Sequence, residues 1–171
     1  MRPVLAFLAL AAALAACSGG STSARDVLPD VRLPTVGGPL GDSLAACPTG
    51  RCLTVVVAPW CEVCRAEAPN IVQLRRYLDS VGVASRVVVG ESSDAKAVRS
   101  FAAEFGADAQ MDDDGALDVR ATPTLFVSDD RGRLLKVVEG FPSGTSGPAQ
   151  LAQYLGLISS RSKTDSGDKI L

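Results

Sequence analysis

A pair of cysteines, Cys61 and Cys64, lies where an apolar run changes into a helical pattern, and this junction constrains the fold most. Residues 53–58 (LTVVVA) are apolar and rich in β-branched side chains, which predicts a strand buried on both faces. Residues 62–78 carry apolar side chains at helical spacing. A strand leading directly into a helix places Cys61 at the helix N-terminus and Cys64 one turn along the same face.

A helix N-terminus favours redox chemistry at these cysteines. Free backbone N–H groups and the positive end of the helix dipole stabilise a thiolate at Cys61, and Cys64 is close enough to attack a mixed disulfide formed there. The dipole contributes about 0.3–2 kcal/mol, or at most about 1.5 pKa units, so other groups also set the reactivity. Arg65 favours the thiolate and Glu62 opposes it. We predict that Cys61 attacks and that Cys64 resolves.

Strands and helices alternate along the rest of the chain. The elements predicted after the first helix are a strand, a helix, a hairpin and a last helix, at residues 86–90, 93–105, 124–128 with 134–139, and 148–155. Ser93 is the predicted N-cap of the second helix and Gly106 its stop. This order predicts an α/β fold with a central mixed β-sheet flanked by helices.

The composition excludes several function classes. Histidine is absent from the 171 residues, which excludes Ser-His-Asp and Cys-His catalysis as usually built and histidine-based metal sites. The net charge is −2 and no basic run occurs, so no electrostatic footprint for nucleic acid is present. We expect no nucleic-acid partner, no metal ion, no cofactor and a monomeric chain.

The N-terminal residues have the pattern of an export signal. Arg2 precedes the uncharged apolar residues 4–16, a run shorter than the ~20 residues of a membrane-spanning helix. The run ends in LAAC at residues 14–17, which resembles the lipobox of bacterial lipoproteins. The resemblance implies cleavage before Cys17 and attachment of several acyl chains to it, which anchor the protein to a membrane. The alternative is an ordinary signal peptide with a coincidental cysteine.

These features divide the chain into four parts. The predicted parts are a lipoprotein signal peptide, the lipidated Cys17 with a flexible tether, one folded domain, and a disordered tail, at residues 1–16, 17–26, 27–158 and 159–171. We expect the protein in the cell envelope, anchored by the lipid on Cys17. Its domain then faces the periplasm or the exterior.

Export also affects the interpretation of Cys47 and Cys52, because cysteines outside the cytoplasm are commonly paired. The two residues bracket a tight turn just before the buried strand, whereas Cys61 follows the strand. A six-residue strand separates its ends by roughly 20 Å, which is too far for direct exchange or for a shared zinc ion. We predict a structural disulfide between Cys47 and Cys52. Free thiols, a regulatory pair and zinc are the alternatives.

Residues 53–69, LTVVVAPWCEVCRAEAP, resemble the active-site segment of thioredoxin-like proteins, and especially the membrane-anchored TlpA-type branch. The residues that carry the resemblance are a tryptophan, two cysteines, a glutamate and a proline, here Trp60, Cys61, Cys64, Glu67 and Pro69. The resemblance implies a thioredoxin-like fold, with a helix kinked at the proline.

The resemblance also suggests which group accepts the proton of the Cys64 thiol. Thioredoxins usually carry a buried acid six residues before the first cysteine, and this chain has Val55 there. The TlpA-type pattern nominates Glu67 as the acceptor instead. A solvated Glu67 without a catalytic role is the alternative. Trp60 is interpreted as a shield over the thiols that also contacts the substrate.

A second landmark, Thr122-Pro123, stands just before the predicted hairpin. Thioredoxin-like proteins hold a cis-proline at this place, facing the dithiol. The resemblance implies that the backbone of Thr122, together with Pro123, binds an incoming substrate strand. Such pairing gives affinity without demanding a particular sequence.

The resemblance implies a thiol–disulfide oxidoreductase of the protein-disulfide reductase type. Its partners are client proteins with disulfides or thiols and a membrane electron donor. The direction rests on the resemblance alone, because small pKa differences decide it. A copper-binding assembly factor, a peroxiredoxin-like peroxidase and a non-catalytic binding protein are the alternatives. Copper-binding assembly factors of this fold generally recruit a histidine, which this chain lacks. Peroxiredoxins carry a Thr-x-x-Cys pattern, and Ala58 stands at the position of its threonine.

An acidic run, Asp112-Asp113-Asp114-Gly115, is similar to part of a calcium loop. The complete pattern fails, because Ala121 stands where a bidentate acid is needed. We predict a solvated turn.

Overall fold

The computed structural model of the protein describes residues 26–159 except 91, 93, 118, 145 and 146. Its elements are β1 (Arg51–Val57), α1 (Glu62–Ser80), β2 (Ser85–Gly90), α2 (Ala95–Ala102), a short 3₁₀ helix (Ala103–Phe105), β3 (Gln110–Asp112), β4 (Thr124–Asp129), β5 (Leu134–Glu139) and α3 (Pro148–Tyr154). The predicted signal peptide and Cys17 lie outside the described residues, as do most of the tether and tail. No helix in the described part of the chain is long and apolar enough to span a bilayer.

The five strands form one mixed sheet in the order β3-β2-β1-β4-β5. β1 pairs in parallel with β2 and antiparallel with β4, so it is the central strand. All of its residues after Arg51 are buried, as expected for a strand covered on both faces. The predicted α/β class with a mixed sheet flanked by helices is confirmed.

Alternation along the strands divides the core into two apolar clusters. The first, which we call the helix-covered face, joins Leu53, Val55 and Val57 of β1 to side chains from all three α-helices. The second, the loop-covered face, contains Val56, Val88 and Phe126 packed against loop residues. None of its members belongs to a described helix. The two faces of the sheet are therefore covered by different kinds of structure.

α1 places the cysteine pair against the sheet. Its buried side chains recur at spacings of three and four residues, which is the pattern of one apolar helix face: Cys64, Ala68, Ile71, Leu74 and Leu78. The helix runs through Pro69, whose missing N–H leaves the carbonyl of Arg65 without its usual donor. Because Cys64 is the first member of this buried face, the packing that holds α1 on the sheet also fixes the dithiol.

Two local predictions are wrong. Asp112 does not belong to a solvated turn: it ends β3, is 4% exposed, and accepts hydrogen bonds from the N–H groups of Ala116 (2.7 Å) and Leu117 (2.9 Å). β3 is three residues long and depends on pairing with β2, so it leaves no periodic signal. The N-cap of α2 is Asp94 rather than the predicted Ser93. Its carboxylate accepts hydrogen bonds from two backbone N–H groups of α2. Its negative charge also interacts favourably with the positive end of the helix dipole.

Candidate active site

Cys61 and Cys64 are joined as a disulfide at the start of α1. Cys61 is the N-cap residue, with an extended backbone (φ −80°, ψ 108°), and its Sγ lies 3.0 Å from the backbone N of Cys64. The N–H of Cys61 in turn donates to the carbonyl of Ala58 at 3.1 Å, which closes the turn between β1 and α1. This geometry places one sulfur at the helix N-terminus and the other inside the first turn.

The two sulfurs differ in their access to solvent. Cys61 is 5% exposed, whereas Cys64 is fully buried. In the reduced protein, the Cys64 N–H and the helix dipole would stabilise a thiolate at Cys61. The arrangement therefore allows nucleophilic attack by Cys61 and an internal reaction by Cys64.

Thr122 and Pro123 lie next to the disulfide although they are far away in sequence. The Thr122–Pro123 peptide bond is cis, and the carbonyl oxygen of Thr122 is 3.2 Å from Cys61 Sγ. The carbonyl of Pro123 accepts from the N–H of Gly140 at 2.7 Å, which ties the loop to the end of β5. The buried Oγ1 of Thr122 has no hydrogen-bond partner among the described residues. The structure thus brings the two sequence landmarks together.

Exposed apolar side chains surround Cys61. Trp60 is 60% exposed and Val63 is 52% exposed, and both lie within two residues of Cys61 in the sequence. The guanidinium of Arg65 donates to the carbonyl of Pro59 and so braces the turn that carries Trp60. An apolar rim of this kind suits contact with another polypeptide.

Glu67 lies one helical turn beyond Cys64 and is half-buried. Its Oε2 accepts from Nδ2 of Asn70 at 2.7 Å. Both residues line a cavity of about 190 Å³ between α1 and the segment that leads into α3, large enough for water. Val55, at the position of the usual thioredoxin acid, is fully buried in the same cluster as Cys64. Sequence reasoning did not single out Asn70, whose signal is its i,i+3 spacing from Glu67.

Cys47 and Cys52 form a second disulfide, with a Cα–Cα distance of 5.5 Å. Cys52 is the second residue of β1, so this disulfide lies at the opposite end of the strand from Cys61. Thr49 Oγ1 lies 3.6 Å from Cys52 Sγ, and the Ser128 carbonyl oxygen lies 3.9 Å from Cys47 Sγ. Among the described residues, no group of three or more histidine, cysteine or acidic side chains could hold a metal ion.

Comparison with known sequences finds one similar curated protein. No family model matches the chain. The chain is 33% identical over 106 residues to a protein of Bacillus subtilis named thiol-disulfide oxidoreductase ResA, which covers 58% of this chain. The aligned part spans 56% of that protein, so the chain matches only about half of its relative's length.

Comparison with solved structures finds the same architecture in several bacterial proteins. An exposed lipoprotein thioredoxin of Streptococcus pneumoniae has a TM-score of 0.60 at 20% identity, covering 76% of this chain and all of that one. StoA of Bacillus subtilis gives 0.59 at 19% identity, with 75% and 98% covered. A secreted Mycobacterium tuberculosis disulfide oxidoreductase gives 0.56 at 18% identity, with 75% and 96% covered. The mixed sheet, its covering helices and these neighbours establish that the chain has a thioredoxin-like fold.

Proposed function

We propose that this protein is an exported, lipid-anchored thiol–disulfide oxidoreductase that reduces client disulfides through Cys61 and Cys64. The observation that carries the proposal is the disulfide at the first turn of α1, with Cys61 Sγ 3.0 Å from the backbone N of Cys64. The similarity to a relative named a thiol-disulfide oxidoreductase supports it. The cis Thr122–Pro123 bond beside the sulfur supports it independently.

The first step is attack by Cys61. In the reduced protein its thiolate attacks one sulfur of a client disulfide; a bond forms between Cys61 and that sulfur, and the other client sulfur leaves as a thiolate. The N–H of Cys64 and the positive end of the helix dipole stabilise the Cys61 thiolate. The client is held against the backbone of Thr122 and Pro123, with Trp60 at the rim.

The second step is resolution by Cys64. Its thiolate attacks Cys61 Sγ, the Cys61–Cys64 bond forms, and the second client sulfur leaves. The client gains two electrons and, in all, two protons. Glu67 takes the proton of the buried Cys64 thiol, and the adjoining cavity connects this carboxylate to water. A membrane electron donor then supplies two electrons to restore the dithiol.

The proposed location follows from the sequence before the domain. The LAAC run at residues 14–17 supports cleavage and lipidation at Cys17. The glycine-, serine- and threonine-rich tether lets the domain reach clients near the membrane on the periplasmic or outer side. The protein then acts as a monomer.

A resolving-cysteine trap tests the activity. In Cys64→Ala the mixed disulfide between Cys61 and a client cannot be resolved, so disulfide-linked adducts should accumulate in the cell envelope. Cys61→Ala is the matched control and should give none. The proposal fails if Cys64→Ala forms no adducts while its Cys61 remains open to alkylation.

Lipidation has its own test, which is the intact mass of the mature protein. We expect a chain that begins at Cys17 and carries acyl mass there, whereas Cys17→Ser should be neither acylated nor cleaved at this site. A mature chain that begins elsewhere refutes the anchor without affecting the redox proposal.

A further inference from the structure

The loop-covered face carries an open apolar groove that the dithiol chemistry does not use. It has a volume of about 600 Å³, within the usual range of ligand pockets. We call it the β4–β5 groove; its apolar walls are formed by Leu28, Leu117, Val119, Phe126, Leu134 and Val137. Val137 is 47% exposed, so this wall is open to solvent.

Hydrogen bonds hold Ala116 and Leu117, which form part of one wall of the groove. The buried carboxylate of Asp112 accepts from the N–H groups of Ala116 and Leu117, which folds this segment over the sheet. On the opposite side, the N–H of Leu28 donates to the carbonyl of Gly132 at 2.9 Å. The groove is therefore a built feature of the folded domain.

One end of the groove lies next to the proposed client site. Arg120 and Thr124, which line the groove, flank Thr122-Pro123 in sequence. Thr124 pairs with Glu139 at this end, and Ser128 pairs with Leu134 at the other, so the groove extends along about four residues of strand, or about 13 Å. An extended segment of about four residues fits this length.

The predicted tether on the N-terminal side of the domain does not suit the groove. Residues 18–25, SGGSTSAR, precede the first described residue and contain no large apolar side chain. A client disulfide that pairs with the backbone of Thr122 must, by contrast, lie in an extended stretch of chain, and the residues next to its cysteine then point toward the groove. Such a chain, paired with Thr122, needs only a few residues to reach Thr124 at about 3.3 Å each.

We propose that the β4–β5 groove binds an apolar, extended segment of the client polypeptide, within about six residues of its reacting cysteine. This inference rests on the proposed function and adds a substrate preference to it. Apolar side chains of the client pack against Phe126 and Val137, which are cross-strand partners in the groove, while Arg120 and Glu139 contact the client backbone at the mouth. The protein thereby favours unfolded chains over small disulfides.

Peptide exchange tests the preference. Reduced Cys64→Ala protein is mixed with symmetric disulfide dimers of a peptide whose cysteine is flanked by either Leu-Val or Ser-Gly pairs. Cys61 bonds to one peptide sulfur and the other peptide leaves as a thiolate. Each rate is divided by the rate with glutathione disulfide for the same variant. We expect the apolar peptide to react about tenfold faster, the effect of burying one large side chain.

Val137→Lys should abolish that preference, because it places a charge on the groove wall. Leu135→Lys is the matched control: Leu135 is 51% exposed on the same strand but does not line the groove, so the preference should persist. Equal rates for the two peptides, or an equal loss in both lysine variants, would overturn the groove assignment. If the protein forms a dimer in solution that Val137→Lys dissociates, the groove binds a second copy of the chain, and this result would also overturn the proposal. Failure to react even with glutathione disulfide would instead count against the proposed function.

Discussion

The two ends of β1 each carry a disulfide, and the two disulfides are almost equally buried. The exposed fractions are 7% and 0% for Cys47 and Cys52, and 5% and 0% for Cys61 and Cys64. Burial alone therefore does not distinguish a structural disulfide from an exchanging one here. The difference must come from the groups around each sulfur.

At the N-terminal end of β1 the neighbouring polar groups hold the chain together. Thr49 Oγ1 donates to the carbonyl of Arg51 at 2.8 Å and accepts from the N–H of Ala84 at 3.0 Å. Asp129, paired with Arg51 across the sheet, accepts from the N–H groups of Arg131 and Arg133 and from the Arg133 guanidinium. Oxygen atoms rather than N–H donors lie near the sulfurs. No helix of the described residues begins at this disulfide, so it lacks the helix dipole and the free N–H donors that favour a thiolate at Cys61.

At the C-terminal end of β1 the setting is the reverse. A helix N-terminus donates an N–H to Cys61, the buried hydroxyl of Thr122 lacks a partner among the described residues, and Trp60 is exposed. These features favour a thiolate and leave surface for another chain. The same covalent bond thus has two roles, decided by local electrostatics and by unused binding surface.

Cys61→Ser has the largest expected effect. Replacing the nucleophile should lower the rate of insulin disulfide reduction by at least about a thousandfold, with stability changed little. Cys64→Ser should still form mixed disulfides in the same assay. A Cys61→Ser protein that matches the parent would remove the distinction between the two ends.

Glu67→Gln should slow resolution by about a hundredfold at pH 6 to 7, since Gln cannot take the proton of the buried Cys64. The loss should shrink as the pH rises, because hydroxide can then remove the proton in place of the carboxylate. Stopped-flow release of a fluorescent client peptide measures the step. Glu62→Gln, which changes the exposed acid in the first turn of α1, is the control. A pH-independent loss, or an equal loss in the control, assigns Glu67 a packing role only.

Cys47→Ala with Cys52→Ala should lower the free energy of unfolding by about 2 kcal/mol, the value expected for closing so short a loop. Urea unfolding of the oxidised proteins measures this change. Insulin reduction by the folded variant should equal that of the parent. Lost activity in a folded variant would indicate that Cys47 and Cys52 relay electrons, which would contradict a purely structural role for their disulfide.

Asp129→Asn should have the smallest effect. Burial raises the pKa of Asp129, but hydrogen bonds from Arg133 and Arg131 outweigh this and hold the pKa below its usual value. A carboxyl with a lowered pKa stabilises the fold above its unfolded pKa of about 3.9, and this is lost as the pH falls through the folded value. The melting temperature of Asp129→Asn should therefore be lower than that of the parent at pH 7. The difference between the two should shrink as the pH falls below about 4. The exposed Asp130→Asn should show no such pattern.

The sequence was most informative where short-range pattern and chemistry agree. Residues 53–58 predicted β1 to within two residues, since an apolar β-branched run has few alternatives in a sheet centre. The helix after Cys61 and the hairpin around the turn at residues 129–132 were predicted for similar reasons. The approach of Thr122 to Cys61 was accessible only through the family resemblance, since 61 residues separate them.

Features that depend on tertiary contact were missed. β3 forms because it pairs with the free edge of β2. The carboxylate of Asp112 can be buried because it accepts hydrogen bonds from two backbone N–H groups. The β4–β5 groove is the space left where the loop-covered face carries no described helix, and no periodic pattern indicates it. Asp94 replaces Ser93 as a cap, although either residue type suits the position.

The most direct test of the account is site-resolved alkylation of the reduced protein with iodoacetamide between pH 4 and 10, read by mass spectrometry. The account predicts that Cys61 reacts alone, with an apparent pKa below the value of about 8.5 for an unperturbed thiol, while Cys64 stays protected. Reaction of Cys64 at the same rate, or a Cys61 that titrates at or above that value, would contradict it.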